Sequence, residues 1–339
     1  MHRKQSASIQ DVAKEAGISP QTVSRVANNS DKVRPETKKK VLSAMQKLGY
    51  RPNYAARALK RGHFNDVGVV LYSMAEYGNT HILDSILSTA NANHYATTIQ
   101  IMDGSSPHPL YDAVERMQVL PVDGIIVIME RCTSDFEDFQ PPADFPVVLI
   151  SERPSPHCVT VDTDQYDCST QIVNYLLGKG HKTVYHIAGP IHSSQAAERR
   201  LAGWADALYD ADITDLPEVH YGDWHAQSGY DIALELAKRP DCTAVYAAND
   251  QMAYGAMLGF KAAGKRVPED ISVMGIDDSL GDYVPQLELT TLRPRFDEIG
   301  RRAFDTIIGA STGRQAPKPG VKIGIPASLI ERGSVRAIR

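Results

Sequence analysis

The feature that most constrains this chain is a punctuated stretch near its N-terminus, SIQDVAKEAGISPQTVSRVAN, over residues 8–28. It predicts two short helices around a tight turn. Ser8 is a suitable N-cap, and Asp11 stands three residues on, the spacing of a capping box. Ile9, Val12, Ala13 and Ala16 recur at helical spacing. Gly17 ends the first helix, because glycine enters the left-handed conformation without a steric penalty. Ser19 then caps a second helix and Pro20 opens it, where a missing N–H costs nothing. Val23 and Val26 face inward, leaving Gln21, Thr22, Arg25, Asn28 and Asn29 outside. Such a pair forms a helix-turn-helix, whose second helix lies in the DNA major groove with its N-terminal residues at base edges. Gln can pair with adenine through two bonds, and Arg with guanine O6 and N7. An ordinary helical hairpin with a polar outer face satisfies the same pattern, and the charge and motifs of the downstream residues separate the two.

The charge distribution favours the first reading. Residues 1–62 carry 14 Lys+Arg against 4 Asp+Glu, whereas the remainder carries 22 against 37, under a net charge of only -5. A basic head on an acidic body points to a polyanion partner for the head alone. A third helix comes next, with Pro35 in its first turn, Val41, Leu42, Met45 and Leu48 on one face, and Gly49 at its end. Lys38, Lys39 and Lys40 form a basic run suited to phosphates, or simply a solvated face. Pro52 then breaks the chain, and Asn53 can cap a short helix, AARAL, before Lys60-Arg61-Gly62. This helix is too short to be stable alone in water. It reads as a hinge, with Leu59 suited to wedge between base steps in the minor groove or to pack on the next domain.

These residues carry a resemblance. DVAKEAGISPQTVSRVAN, RPETKKKVLSAMQKLGYRPN and the AARAL hinge resemble the DNA-binding head of the LacI/GalR family of bacterial transcription regulators. The resemblance implies a contact set of Ser19, Pro20, Gln21, Thr22, Ser24, Arg25, Asn28, Asn53, Ala56 and Leu59, the last as the intercalating hinge leucine. Pro20 offers no donor, so any base reading there is apolar.

The rest of the chain alternates β-rich runs with helical patterns. Strands are predicted at 67–72, 97–101, 124–128, 147–150, 183–187, 244–248, 272–276 and 289–292, with helices such as 81–93, 109–120, 164–179 and 251–263 between them. Alternation of this kind predicts parallel sheets covered by helices, and the length predicts two lobes with a ligand in the cleft between them. The expected fold is therefore an all-α helix-turn-helix head plus an α/β two-lobed, periplasmic-binding-protein-like effector domain. The family resemblance divides it into a DNA-binding domain at 1–52, a hinge at 53–63, and an effector-binding and dimerisation domain at 64–339. Lobe 1 is expected at about 64–161 and 292–320, and lobe 2 at about 162–291 and 321–339. The crossings are expected near Val161–Asp162, Thr290–Leu292 and Pro317–Ile323.

In the second lobe the resemblance runs through IAGPIHSSQAAERRLAGW, YGDWHAQSGY, AANDQMAYGAM, SVMGIDDS and LTTLRPRF. It implies four effector contacts whose chemistry suits a neutral sugar. Arg200 offers a fork of donors, Asn249 both donates and accepts, Asp277 accepts from hydroxyls, and Trp224 offers a flat apolar face. Asp250 is expected to cap the helix starting at Gln251, with Asn249 facing the cleft, and Asp278 is expected to be structural. From the first lobe, strand ends nominate Tyr72 and Ser73, and also Glu152 and Arg153. GDW with its downstream SG resembles the galactoside-responsive branch. Pro294 stands where members binding galactosides tend to have Gln, which leaves the sugar open.

No nucleotide-binding glycine pattern, zinc spacing or hydrolase motif occurs, so no catalytic residue, metal or cofactor is expected. The absence of a long apolar run and of an apolar leader leads us to expect no membrane span and no signal peptide. The four cysteines form no C-x-x-C pair and are expected to be structural thiols in the cytoplasm. No leucine heptads come after the body, so a homodimer on a pseudo-palindromic double-stranded operator is expected. The resulting expectation is a transcriptional repressor controlled by a small carbohydrate, such as the galactoside lactose. The alternatives are a co-repressor system responding to a purine or sugar phosphate, and a sugar-binding protein or enzyme with a basic head.

Overall fold

The computed structural model describes residues 7–27, 32–50, 62–129, 131 and 133–338. The chain divides into two compact units, Met1–Phe64 and Asn65–Arg339. Asn28, Asn53, Ala56 and Leu59, the hinge helix and Cys132 lie outside the described residues.

In the first unit α1 (Ile9–Ala16), α2 (Pro20–Ala27) and α3 (Pro35–Leu48) surround a small core of Val12, Ala13, Val23, Val26, Val41, Ala44 and Met45. The boundaries are set by local chemistry. Ser8 Oγ accepts from the Asp11 N–H at 3.2 Å while the Asp11 carboxylate accepts from the Ser8 N–H at 2.8 Å. The Ser8 N–H, together with the Ser8 hydroxyl at 2.7 Å, donates to the Asp11 carboxylate and holds it below its ordinary value. Gly17 closes α1 at φ 66°, and Ser19 Oγ accepts from the Thr22 N–H at 3.2 Å to start α2. One core expectation is corrected. Leu42 is 50% exposed and Ala44 takes the inward place, because the buried stripe of α3 passes through 41, 44 and 45.

The second unit holds two six-stranded sheets. In chain order its elements are β1 (Asp66–Leu71), α4 (Tyr77–Ala92), β2 (Ala96–Ile101), α5 (Pro109–Gln118), β3 (Ile125–Ile128), β4 (Val147–Ile150) and β5 (Val159–Asp162). Next come α6 (Gln165–Gly178), β6 (Tyr185–Ala188), α7 (Gln195–Asp210), β7 (His220–Tyr221), α8 (Ala226–Leu236), β8 (Ala244–Ala247), α9 (Asp250–Ala262) and β9 (Ser272–Ile276). The chain continues with β10 (Thr290–Arg293), α10 (Phe296–Ser311), β11 (Lys322–Gly324) and β12 (Ser328–Ile330).

The first sheet has the order β11-β5-β4-β3-β1-β2 and is wholly parallel; the second has the order β12-β10-β9-β8-β6-β7, with only β12 antiparallel. Central strands such as β3 and β4 are apolar throughout, as burial on both faces requires. Helices cover both faces of each sheet. Ile86 and Phe304 pack on one face of the first, and Leu110 and Phe139 on the other.

The chain passes between the sheets three times. The first passage comes after Asp162 and the second after Arg293, so all of β10 belongs to the second sheet. The third falls between Gly324 and Ser328, later than the expected 317–323. Residues 322–324 therefore belong with lobe 1, because they pair with 160–162 of β5. The short strands β5, β7, β11 and β12 were not expected from the sequence pattern. They hold their places by pairing with a neighbour rather than by their own periodicity.

Candidate functional site

The C-terminal ends of the strands in both sheets deliver loops into one cleft, a cavity of about 600 Å³. Open α/β sheets place ligands at this position. Lobe 1 contributes Glu76, Tyr77, Asn79 and Ile82 after β1, Glu152 after β4, Asp162 at the end of β5, and Phe296 at the start of α10. Lobe 2 contributes Gln195 and Arg200 from α7, Trp224 and His225 after β7, Asn249 after β8, and Asp277 and Tyr283 after β9.

The four lobe 2 residues of the sequence analysis come together. Arg200 is 5% exposed. Its Nε donates to Gln165 Oε1 at 2.9 Å, Nη1 to the Ala248 carbonyl and Nη2 to Asp277 Oδ1 at 3.3 Å. Its fork is thus largely committed to protein, and it acts first by holding Asp277 in place. Asn249 corrects a detail. It is itself the N-cap of α9, accepting from the Met252 N–H at 2.9 Å, while its Nδ2 donates to the Trp224 carbonyl at 2.9 Å. Asp250 is instead fully buried, accepting from Thr291 Oγ1 at 2.6 Å and from the Ser279 N–H at 2.8 Å. Asp278 accepts from Arg293 and Arg332 and supports the loop.

Trp224 lies half-buried at φ 75°, and Asp277 at φ 112°. Non-glycine residues in this region cost on the order of 1–3 kcal/mol and cluster at ligand sites. The Trp224 indole lies on Gly189, whose Cβ, if present, would stand 2.2 Å from the ring. The Arg200 guanidinium lies 6.0 Å from the indole centroid.

In lobe 1, Tyr72 and Ser73 do not line the cleft. Tyr72 stacks under Arg131 at 4.6 Å, and Ser73 Oγ accepts from the Ala75 N–H at 3.0 Å. The turn after β1 carries the chain past them, so the residues that enter are Ala75 to Ile82. Glu152 does line the cleft, accepting from the Gln165 N–H at 3.2 Å, whereas Arg153 pairs outward with Glu137 at 2.9 Å. Tyr77 and Phe296 were missed by sequence reasoning. Their rings meet edge to face, centroids 5.9 Å apart, and Phe296 also lies against Gly78. No local motif marks them, since Phe296 joins lobe 1 only through the second passage between the sheets.

Burial raises three carboxyls around the cleft above their ordinary 3.8. Asp277 is pushed up to about 6 against the pull of Arg200, Asp162 to about 7 with help from Glu152, and Asp250 behind the cleft to about 8. The folded protein therefore holds protons that the unfolded chain has released between pH 4 and 8. The contribution of these groups to stability is present below about pH 4 and declines as pH rises through their folded values. A denaturant midpoint that falls from pH 5 to pH 8, with a shallower fall in Asp162→Asn, is the expected result.

On the first unit, Pro20, Gln21 and Arg25 of α2 are exposed, and Thr22 and Ser24 are half-buried. The Ser19 and Thr22 hydroxyls pair with each other at 2.9 Å beside the cap. The outward side of α2 is therefore presented by the residues that the helix-turn-helix reading requires.

Residues 8–53 match the lacI family of bacterial regulatory proteins, and residues 173–335 match the periplasmic binding protein-like domain. The lactose operon repressor of Escherichia coli (strain K12) is 32% identical over 331 residues, covering 96% of this chain and 90% of that protein. The chain belongs to the lacI family. It is a DNA-binding transcriptional repressor with a ligand-binding domain. Another family member, the HTH-type transcriptional repressor PurR of Haemophilus influenzae (strain PittEE), is 29% identical and covers 98% of this chain and 99% of that protein. The crystal structure of the lac repressor dimer bound to operator and the anti-inducer ONPF superposes with a TM-score of 0.82 at 29% identity, covering 98% of this chain and 100% of that one. The lac repressor bound to ONPG gives 0.84 at 31% identity, covering 97% and 100%. Among the described residues of this family member, no helix is long and apolar enough to cross a membrane, and Cys158, Cys168 and Cys242 are buried free thiols.

Proposed function

We propose that a small uncharged carbohydrate, a galactoside such as lactose, binds in the cleft and controls the affinity of a homodimer for a pseudo-palindromic operator. The observation that carries this reading is the charge of the cleft. Glu76, Glu152, Asp162, Asp223 and Asp277 line it, while the guanidinium of Arg200 is already engaged by three acceptors. A phosphate would meet acidic side chains, with the guanidinium of Arg200 already committed and Arg199 paired with Glu152, whereas a polyol can donate to the ionised carboxyls and accept from those that burial keeps protonated. Arg200, Trp224, Asn249 and Asp277 are assigned to the effector, and Tyr72 and Ser73 are not. The lac repressor bound to ONPG supports the same class of ligand.

Residues 1–52 are assigned to DNA binding, 53–63 to the hinge, and 64–339 to effector binding and dimerisation. A ligand that closes the cleft shifts the balance between DNA-competent and released states only by its differential affinity for them, typically about 1–3 kcal/mol per coupled site. Thermal-shift titration tests the reading. Galactosides should raise the melting temperature by mass action. A response confined to purines or sugar phosphates would replace it with the co-repressor reading, which the similarity to the PurR repressor keeps in the test.

Operator contact is assigned to Ser19, Pro20, Gln21, Thr22, Ser24 and Arg25 of the head, with Asn28, Asn53, Ala56 and Leu59 by family resemblance. Arg25→Ala should cost about 1–3 kcal/mol at one operator position if the guanidinium reads a base. A uniform loss over all operator variants would make it a phosphate contact.

A further inference from the structure

Asp162 is the last residue of β5, at the first passage between the lobes, and it lines the effector cleft. Its backbone is fixed on both sides. β5 pairs with β4 and with β11, and the Asp162 carbonyl accepts from the Ile325 N–H at 2.9 Å. The first and third passages are thus tied together at this residue. A side chain on such a strand end is held more precisely than one on a loop.

The carboxyl itself is only partly committed. Oδ1 accepts from the Thr163 N–H at 2.7 Å, whereas Oδ2 has no hydrogen-bond partner among the described residues and is not enclosed by them. The charged groups facing it are engaged elsewhere. Lys322 of β11 donates to the Glu152 carbonyl at 2.9 Å and stands 3.8 Å from Asp164. Arg200 of α7 is held by Gln165, Ala248 and Asp277. Glu152, after β4, accepts from the Gln165 N–H at 3.2 Å and from Arg199 at 3.3 Å. Burial and the Glu152 carboxylate push Asp162 up to about 7, against the pull of the Thr163 N–H, Lys322 and Arg200. A neutral carboxyl has one O–H to donate and still accepts, which matches a hydroxyl ligand in both directions.

We infer that Asp162 is a specificity-determining residue of the effector site, meeting a sugar hydroxyl from the first lobe through Oδ2 while Arg200, Asn249 and Asp277 hold the sugar from the second. This inference rests on the carbohydrate reading above and adds the first-lobe partner to it. The carboxyl makes this contact in its protonated form. Binding is therefore strongest below the Asp162 value and weakens as pH rises through it.

Calorimetric titration of the full chain with methyl galactoside and lactose from pH 6.5 to 8.5 tests it. Wild-type affinity should fall about tenfold over this range, the effect of raising the Asp162 value by about one unit in the complex. Asp162→Asn keeps a donor and an acceptor but has no proton to lose. It should bind within about threefold of wild type at pH 6.5 and lose most of the slope. Asp277, pushed up to about 6, titrates alike in both proteins, so the difference between them belongs to residue 162. Asp162→Leu removes both polar atoms and should bind at least about tenfold more weakly at pH 6.5. Asp162→Ala should do the same and covers the case in which the leucine variant fails to fold. A flat wild-type profile, a slope retained by Asp162→Asn, or wild-type affinity in the leucine or alanine variant overturns the contact and leaves the carbohydrate reading standing. Absence of binding by both sugars overturns the carbohydrate reading and the contact with it.

Discussion

Arg200→Ala is expected to destabilise the second unit by about 3–5 kcal/mol, the cost of removing one partner from a buried ion pair. The reason lies in its three hydrogen bonds. Without the guanidinium, the Ala248 carbonyl and Gln165 Oε1 lose their donor in the interior, and Asp277 loses the cation that opposes its desolvation. The Asp277 carboxyl would then take up a proton nearer neutral pH, so it would no longer accept from two hydroxyls. Effector affinity should fall together with stability. Arg200→Lys keeps the charge but offers no planar fork, and should recover only part of either. Urea denaturation followed by calorimetry with lactose separates the two effects. A stability loss below about 1 kcal/mol would class Arg200 with exposed ion pairs and would remove it from the cleft.

Gly255→Ala should be comparably severe, although alanine is the better helix former by roughly 0.5–1 kcal/mol. The α8–α9 contact reverses that sign. A Cβ on Gly255 would stand 1.8 Å from the Ala226 carbonyl oxygen, and one on Gly229 would stand 2.1 Å from that of Met252. Both obstacles are backbone, so the helices themselves must separate. Overpacking costs typically about 1–3 kcal/mol, and rigid atoms on both sides place this case at or above the upper end, a loss of roughly 5–10 °C in melting temperature. The effect should also reach the ligand. Trp224 lies just before α8 and Asn249 just before α9, and their 2.9 Å hydrogen bond spans the gap that would widen. Weaker effector binding beyond what the lost stability explains is therefore expected. A variant that melts at the wild-type temperature would show that the helices have room to separate.

The sequence by itself determined what depends on residues a few positions apart. The capping box of Ser8 and Asp11, the Gly17 stop and the Ser19-Pro20 start are completed within one helical turn, so the helix-turn-helix was legible. The inner strands of both sheets were legible for a similar reason, since burial on both faces writes an unbroken apolar run. The tertiary structure alone decided what depends on distant partners. Strands β11 and β12 have sheet membership only through pairing with β5 and β10, which moved the third passage between lobes to 325–327. Asn249 rather than Asp250 became the cap because Thr291 and Ser279 hold the Asp250 carboxylate in the interior. The first-lobe wall of the cleft passed from Tyr72 and Ser73 to Glu76, Tyr77 and Phe296. The turn after β1 and the return of α10 to the first sheet bring those side chains together, and neither is encoded in any local spacing. Residue chemistry thus named the kind of site, while the register of two parallel sheets and three passages between them fixed its membership.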